Sequence, residues 1–207
     1  DLPVDMDIGV RSLDILPGAP EKTVYNWGDT INGNCEYRRA VIETVNELFL
    51  LPAPIDFSGE YTEENFRKMI DSFRKEFDYV ILDAPAGLES GFRLGVSVAD
   101  ECIIISTPEP TSIRAASYAV ENVRKAGVED VRLVVNKLNK KIHKGIDVDE
   151  IIDNISARLL GIIPDSQEIY GSINGKKIPY DCKGNQAFLR IAKRLDGESV
   201  PLKMKNL

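Results

Sequence analysis

Residues 77–87 read Phe-Asp-Tyr-Val-Ile-Leu-Asp-Ala-Pro-Ala-Gly, a short apolar run followed by an acidic residue and a turn. A continuously apolar run of this length, bounded by turn residues, is typical of a strand that is buried on both faces of a parallel sheet. The pattern recurs along most of the chain. The strand candidates are residues 4–6, 48–51, 79–82, 102–106, 132–135 and 160–163.

Amphipathic helices are predicted between these strands. Thr62 is a favourable N-cap residue, and Gly127 stands where a glycine would end another helix. Strands that alternate with helices predict an α/β fold: a doubly wound, mostly parallel sheet with helices on both faces, in a single domain over residues 1–207. The apolar stripes that indicate the helices are Phe66, Met69, Ile70, Phe73 and Phe77; Ile113, Ala116, Val120 and Val123; Val148, Ile151, Ile152 and Ile155; and Phe188, Ile191, Ala192 and Leu195.

The composition excludes several classes of protein. The 207 residues are 43% hydrophobic and 29% charged, as in ordinary globular proteins. The 33 acidic residues outnumber the 26 basic ones, so the net charge of −7 argues against general attraction to nucleic acid as the main driver of function. No apolar stretch approaches the roughly 18 residues of a membrane span, and the first residues lack the pattern of a signal peptide.

Cysteine and histidine usage narrows the chemistry further. Cys35, Cys102 and Cys182 are few and far apart, which is typical of reduced thiols, so we expect a cytoplasmic location. His143 is the only histidine. A histidine-based metal cluster within one chain is therefore excluded, and a serine or cysteine hydrolase would depend on that single residue.

Polar side chains follow several of the predicted strands. Asp5 and Asp7 follow the first strand, Asp83 the third, and Asn136 the fifth. Ligands of open parallel sheets bind outside the carboxyl ends of the strands, and carboxylates gathered there repel one another unless a cation lies among them. Mg²⁺ prefers such oxygen ligands and also binds substrate phosphates. One aspartate alone would more simply begin a solvated loop, but three on one edge favour a Mg²⁺–phosphate site.

Several of these segments resemble the MinD/ParA family of deviant Walker A ATPases. Residues 4–14 are similar to its post-strand segment, and residues 77–87 to its Walker B stretch. The match runs in the family's order over nearly the whole chain, which makes the set much more specific than any one motif. The other similar segments are residues 107–114, the adenine-pocket elements 134–137 and 160–165, and the closing segments 184–188 and 197–201.

The resemblance implies a role for each matching residue. Asp7 would position or activate the attacking water, Asp5 would support the Mg²⁺ shell, and Asp83 would hold a Mg²⁺-bound water. Asn136 would recognise the adenine edge, and Pro164 would pack on the ring beside Asp165. The residues that would lie near a nucleotide-dependent dimer face are Arg11, Glu109, Ser112 and Arg114.

The same resemblance implies a function and its partners. The expected protein uses ATP/ADP and Mg²⁺, forms an ATP-dependent homodimer and binds a regulatory protein, with no direct contact to nucleic acid. Its role would be to place the cell-division site or to position another cellular structure. The family also implies peripheral contact with the inner face of the cell membrane, but residues 201–207 amount to about one helical turn, too little for stable interfacial binding.

The family's phosphate-binding loop does not occur in the 207 residues. No Gly-x-x-x-x-Gly-Lys-Ser/Thr motif exists, and Gly175-Lys176-Lys177 is the nearest fragment. The family places this loop before Asp5, in a βα unit that also supplies a strand of the sheet. We expect the chain to be a shortened form of a longer ATPase; the alternative is a truncated form that does not bind ATP normally. Pro3 is also unexpected inside a strand.

Two other functions are alternatives to the ATPase switch. A non-catalytic scaffold of the same fold would bind a partner protein without hydrolysis; the absent loop favours it, whereas Asp7, Asp83 and Asn136 would serve no chemical purpose in it. A phosphoacceptor receiver domain also has acidic residues after its first strand and a lysine such as Lys137. It is rejected because too much chain separates Asp7 from Asp83.

Overall fold

A computed structural model describes residues 1–11, 13, 23–44, 49–56, 61–139, 142, 147–173 and 178–202. His143, Leu48, the Gly175–Lys177 fragment and residues 203–207 therefore lie outside the described residues. The chain divides into two compact units, residues 1–99 and residues 100–207. The single domain expected over residues 1–207 stays a prediction.

The first unit contains a parallel pair of strands that brings two of the predicted aspartates side by side. Its elements are β1 (Leu2–Asp5), α1 (Trp27–Ile31), α2 (Tyr37–Ala40), β2 (Ile42–Glu43), β3 (Phe49–Leu50), α3 (Glu63–Phe73), β4 (Val80–Asp83) and α4 (Ser90–Val98). Strand β1 pairs in parallel with β4, and Asp5 is aligned with Asp83. Strand β2 pairs antiparallel with β3, and Leu51 makes an isolated parallel bridge to Val4.

Pro3 lies inside β1, contrary to the expectation from the sequence. Its carbonyl oxygen accepts a hydrogen bond from the N–H of Leu51 at 2.9 Å, and the N–H of Asp5 donates to the carbonyl of Leu51 at 2.9 Å. The hydrogen bonds to Leu51 therefore come from the carbonyl of Pro3 itself and from the N–H of Asp5. The N–H groups of Leu2 and Met6 donate to the chain around β4, so the missing N–H of Pro3 does not interrupt the alignment with β4.

The core of the first unit lies against α3. The hydroxyl of Thr62 accepts the N–H of Asn65 at 3.2 Å, which confirms Thr62 as the N-cap. The helix buries the predicted stripe except Phe77, because α3 ends at Phe73 and Phe77 is only partly buried. The buried residues of this core are Leu2, Val4, Met6, Trp27, Ala40, Leu51, Phe66, Met69, Ile70, Phe73, Leu94 and Val98.

The second unit contains a three-stranded parallel sheet with strands in the order β5-β6-β7. Its elements are β5 (Glu101–Ser106), α5 (Pro110–Lys125), β6 (Asp130–Leu138), α6 (Val148–Ile155), β7 (Arg158–Pro164), α7 (Gln167–Ile173) and α8 (Lys183–Leu195). The strands predicted in this half are confirmed, and each is longer than predicted. Gly127 follows the end of α5 with a φ of 96°, a left-handed conformation that glycine adopts easily.

The face that α8 buries differs from the predicted stripe. Gly184 and Ala187 are buried, whereas Phe188 is 41% exposed and Ala192 is exposed. A Cβ atom at Gly184 would stand 2.5 Å from the side chain of Ile169. The prediction of Phe188 and Ala192 in the buried stripe was wrong because the helix packs through its smallest residues, where close approach is possible.

One face of β4 and of β5 is less covered than a doubly wound sheet predicts. In the first unit, Ile81 is 53% exposed, and β4 pairs with β1 alone among the described residues. In the second unit, Ile105 is 65% exposed and Ile103 is also exposed, and β5 pairs with β6 alone within the same limits. These side chains of β4 and β5 are therefore exposed over the described part of the chain.

The three cysteines are free thiols, as the sequence predicts. Burial raises the pKa of the Cys102 thiol to about 11, so this thiol is protonated and unreactive near neutral pH. Across the described ranges, no helix combines the length and the apolar character that a membrane span requires.

Candidate functional site

The candidate site of the first unit is built on Asp5, at the carboxyl end of β1. Its side chain is fully buried. One carboxylate oxygen accepts the N–H of Asp7 at 2.8 Å, and the other accepts the N–H of Leu13 at 3.2 Å. A buried carboxylate with two backbone donors organises the loop that follows it. Asp5 therefore holds the segment that carries Asp7.

Trp27 holds the backbone of Asp5 in place. Its indole Nε1 donates a hydrogen bond to the carbonyl oxygen of Asp5 at 2.8 Å, and the whole side chain is buried. The helix that carries it begins with a capping box, in which Asn26 and Asp29 each accept the other's backbone N–H. Sequence reasoning missed this contact, although the only tryptophan of the chain lies inside an Asn-x-x-Asp capping signal, directly after Asn26.

Asp83 lies beside Asp5 in the register of the two strands but in a different environment. Its side chain is exposed, and its carbonyl oxygen accepts the N–H of Met6 at 3.0 Å. Partial desolvation, followed by the negative charge of Asp7, raises the pKa of Asp83. A cation near Asp83 would offset both effects.

Burial is the main reason that the pKa of Asp5 is raised, and the charges of Asp83 and Asp7 add to it. The N–H groups of Asp7 and Leu13 act in the opposite direction by stabilising the carboxylate. At this edge of the first unit, the negative charges of Asp7 and Asp83 therefore act on Asp5, and the charge of Asp7 acts on Asp83. The sequence predicts such mutual repulsion of carboxylates.

The turn after β4 brings helix α4 against the end of β1. Gly87 adopts a φ of 99°, which favours glycine. Gly91, in the first turn of α4, faces the carbonyl oxygen of Met6 so closely that a Cβ atom would collide with it. Glycine at position 91 is therefore required for the packing of α4 beside the aspartates.

The aspartates do not form a preassembled metal cage. In the described part of the chain, no group of three or more His, Cys, Asp or Glu side chains could hold a metal ion. Mg²⁺ is usually bound through one or two carboxylates, several waters and substrate phosphates. An exposed carboxylate at Asp83 with a second acidic group, Asp7, nearby fits that mode of binding.

In the second unit, the end of β6 contains a β-bulge. Val135 is aligned with Ile162 and Leu138 with Pro164, so Asn136 and Lys137 together oppose the one residue between those partners on β7. The Oδ1 atom of Asn136 accepts the N–H of Lys137 at 2.9 Å. Lys137 has a φ of 55°, unusual for a residue with a side chain. Bulges of this kind redirect side chains at the ends of strands.

Pro164 and Asp165 lie directly beside this bulge. Pro164 ends β7 and is aligned with Leu138, while the N–H of Asp165 donates to the carbonyl of Leu138 at 3.1 Å. The amide nitrogen of Asn139 donates to the carboxylate of Asp165 at 3.3 Å. The structure thus brings Asn136, Pro164 and Asp165 to one end of the second unit's sheet, as predicted.

The four residues expected near a dimer face have different surroundings. Ser112 is half-buried, and its hydroxyl accepts the N–H of Thr107 at 3.0 Å and lies 3.1 Å from the hydroxyl of Ser106. This contact fastens the start of α5 to the end of β5. Glu109, the N-cap residue of α5, and Arg114 are exposed, and Arg11 follows Asp7 with a φ of 53°. Their part in a dimer stays a prediction.

Comparison with known proteins gives relatives over nearly the whole chain. No family model matches. The chain is 35% identical to the septum site-determining protein MinD of Bacillus subtilis, in an alignment of 212 residues that covers 97% of this chain and 79% of the relative.

Solved structures confirm the α/β fold. The MinC:MinD cell division protein complex of Aquifex aeolicus matches with a TM-score of 0.88 and 30% identity, covering 98% of this chain and 85% of that chain. MinD of Pyrococcus horikoshii, solved in complex with Mg-ADP, matches with a TM-score of 0.81. At 23% identity, over 94% of this chain and 82% of that one, the second likeness bears on the fold alone.

Proposed function

Because this chain belongs to the MinD family of septum site-determining proteins, we propose that it is an ATPase switch that dimerises with ATP and is reset by hydrolysis. Its role is to place the cell-division site or to position another cellular structure. The observation that carries the proposal is the acidic edge of the first unit, where buried Asp5 is aligned with exposed Asp83 and holds the loop that contains Asp7.

Each aspartate has a distinct role in this proposal. Asp83, exposed and at the strand end, would hold a water of the Mg²⁺ shell. Asp5 would act through the loop, because both of its oxygens already accept backbone N–H groups. Asp7, whose N–H donates to the carboxylate of Asp5, would position the attacking water. When bound, Mg²⁺ supplies positive charge that neutralises the phosphates.

Within the second unit, the residues at the ends of β6 and β7 would recognise an adenine base. The amide of Asn136 can both donate and accept, which matches the donor and acceptor on the edge of adenine. Pro164 offers an apolar surface for the ring, and Asp165 is fixed beside it by Leu138 and Asn139.

Phosphate binding requires a further element. A triphosphate carries several negative charges, and the chain itself carries −7. We therefore propose that a Gly-rich loop outside these 207 residues supplies backbone N–H donors and a lysine. The βα unit that contains such a loop would also pair with an open strand edge and cover apolar side chains such as Ile81, which is 53% exposed in the first unit.

The proposal includes a protein partner. The Aquifex aeolicus relative is described in a complex of MinC with MinD. A regulatory partner of this kind would bind the present protein. The residues Arg11, Glu109, Ser112 and Arg114 would lie near the face of its nucleotide-dependent dimer. Contact with a membrane stays a prediction, because residues 203–207 lie outside the described residues.

Light scattering of the full-length protein tests the switch. We expect a dimer with Mg-ATP and a monomer with Mg-ADP. Asp7→Ala should slow hydrolysis and so prolong the dimeric state. A protein that binds its partner equally well with and without nucleotide, and whose mass does not respond to ATP, would instead be the non-catalytic scaffold.

A further inference from the structure

Lys137 is held in an unusual backbone conformation at the end of β6. Its φ of 55° places a residue with a long side chain in the left-handed region, inside the bulge that it forms with Asn136. This region is sterically disfavoured for a residue with a side chain, which persists there where the surrounding structure requires it. Such residues cluster at ligand sites.

The lysine side chain contacts an aromatic ring of the next helix. The ammonium nitrogen of Lys137 lies 5.5 Å from the centroid of the Tyr170 ring, within the range of a cation–π interaction. Tyr170 is 45% exposed and lies on α7. The packing of Ile169 against Gly184 of α8 fixes the position of that helix. The ring is therefore a fixed surface on which the ammonium rests.

An ammonium group beside the base of a nucleotide would change the preference of the site for one base over another. Guanine presents two acceptors, O6 and N7, and lysine is among the side chains that recognise this pair. Adenine presents an N6 amino donor at the position of O6, which a lysine cannot match because its ammonium has only donors. A mobile Lys137 next to Asn136 would therefore favour guanine.

We propose that Tyr170 is a specificity-determining residue of the base site. By holding the Lys137 ammonium on its ring, it withholds that group from the base, and the amide of Asn136 alone reads the adenine edge. Rejection of guanine thus comes from keeping a matching donor away as well as from the contacts to adenine. The inference rests on the proposed function, since it assumes a nucleotide base near Asn136.

Calorimetry with Mg-ADP and Mg-GDP on the full-length, loop-bearing protein tests this inference. Tyr170→Leu should lower the preference for ADP over GDP by roughly two- to fivefold, the equivalent of an exposed cation–π contact, mainly by strengthening the binding of GDP. Tyr170→Phe, which keeps the ring, should restore the wild-type preference. In the Lys137→Met background, Tyr170→Leu should no longer change it.

A spectroscopic signature separates this role from a purely structural one. The side-chain methylene protons next to the Lys137 ammonium should show an upfield ring-current shift in the wild type and in Tyr170→Phe, and lose it in Tyr170→Leu. An unchanged ADP-to-GDP preference in Tyr170→Leu would overturn the inference, as would a loss of preference that persists in Lys137→Met/Tyr170→Leu. If the wild type binds neither nucleotide, the proposed function itself fails, so the two failures are distinguishable.

Discussion

Asp5 and Asp83 are aligned neighbours on two parallel strands, yet their surroundings assign them different tasks. Asp5 is buried, and both of its oxygens accept backbone N–H groups of the loop that carries Asp7. Asp83 is exposed at the same strand end. A ligand arriving from solvent can therefore reach Asp83, whereas Asp5 acts on the ligand through the loop.

The Asp83→Ala substitution should abolish Mg²⁺-dependent ATP hydrolysis in the full-length protein, with little effect on folding because the side chain is exposed. Phosphate release measures the loss of ATP hydrolysis, and circular dichroism measures the effect on folding. Asp78→Ala, an exposed aspartate just before the same strand, is the matched control and should keep wild-type turnover. Unchanged turnover in Asp83→Ala would show that its carboxylate does not serve the metal.

The pH dependence of stability should also depend on Asp83, because desolvation and the charge of Asp7 raise its pKa. The folded protein then holds this proton more tightly than the unfolded chain. Its contribution favours folding at low pH and is lost as the pH rises from 3.8 through the raised pKa.

Asp83→Asn removes this contribution. At pH 7 the variant should exceed the wild type in free energy of unfolding by at most about 0.5 kcal/mol, a small figure because solvent screens the exposed group. The difference should vanish below pH 3.8. Urea titrations at several pH values measure it, and a variant less stable than the wild type at pH 7 would contradict the sign.

Asn136→Ala should weaken ATP binding and reduce the preference for adenine over guanine nucleotides. Loss of one base contact of this kind corresponds to about 1–3 kcal/mol of discrimination. Calorimetry of the full-length protein measures both affinities. Asn122→Ala removes a half-buried amide of α5 that donates to the carbonyl of Tyr118 in the same helix, and this variant should bind as the wild type does. Equal discrimination in Asn136→Ala would mean that its amide merely stabilises the bulge.

At the scale of elements, the packing of α4 against the end of β1 depends on one glycine. A Cβ atom at Gly91 would collide with the carbonyl oxygen of Met6, whereas a Cβ at Gly95 of the same helix would meet Leu82 at an ordinary 3.9 Å. The two glycines therefore form a matched pair for one substitution.

Gly91→Ala should lower the free energy of unfolding by about 1–3 kcal/mol, the usual range for overpacking. Gly95→Ala should be neutral or stabilising by up to about 1 kcal/mol, because alanine favours the helix and restricts the unfolded chain. Thermal and urea denaturation compare them. Equal stabilities of the two variants would show that α4 moves away from β1 freely.

At the scale of the whole molecule, the 207-residue chain should neither bind ATP tightly nor stay monomeric. It contains no Gly-rich loop, and apolar side chains such as Ile81 and Ile105 are exposed on its strands. Exposed apolar strands promote association between molecules. Light scattering and calorimetry of the 207-residue chain measure the two properties.

An N-terminal extension that contains the Gly-rich loop should restore both tight ATP binding and the monomeric state. The same extension with the loop lysine replaced by alanine is the control: it should restore the monomer but not the affinity for ATP. A 207-residue chain that is monomeric and binds Mg-ATP with micromolar affinity would show that the loop is dispensable. Partner binding by that chain would favour the scaffold.

The sequence by itself determined the positions of the main strands and the chemistry at their ends. Apolar runs such as 79–82 and caps such as Thr62 are local signals, because the backbone at each position responds to its immediate neighbours. The ordered motifs also placed Asp5 and Asp83 at strand ends, where the structure has them. They placed Asn136 just after a strand, whereas the structure has it in the bulge within β6, two residues before the end of that strand.

Only the tertiary structure decided which side chains meet. The support of Asp5 by Trp27, the contact of Lys137 with Tyr170, and the choice of Ala187 over Phe188 for the buried face of α8 join residues on different elements. These contacts depend on how closely two backbones approach, and that distance is set by side-chain volumes on both elements at once. Periodicity along one segment contains no information about the volume of its partner, so the sequence of α8 could not reveal that Gly184 would face Ile169.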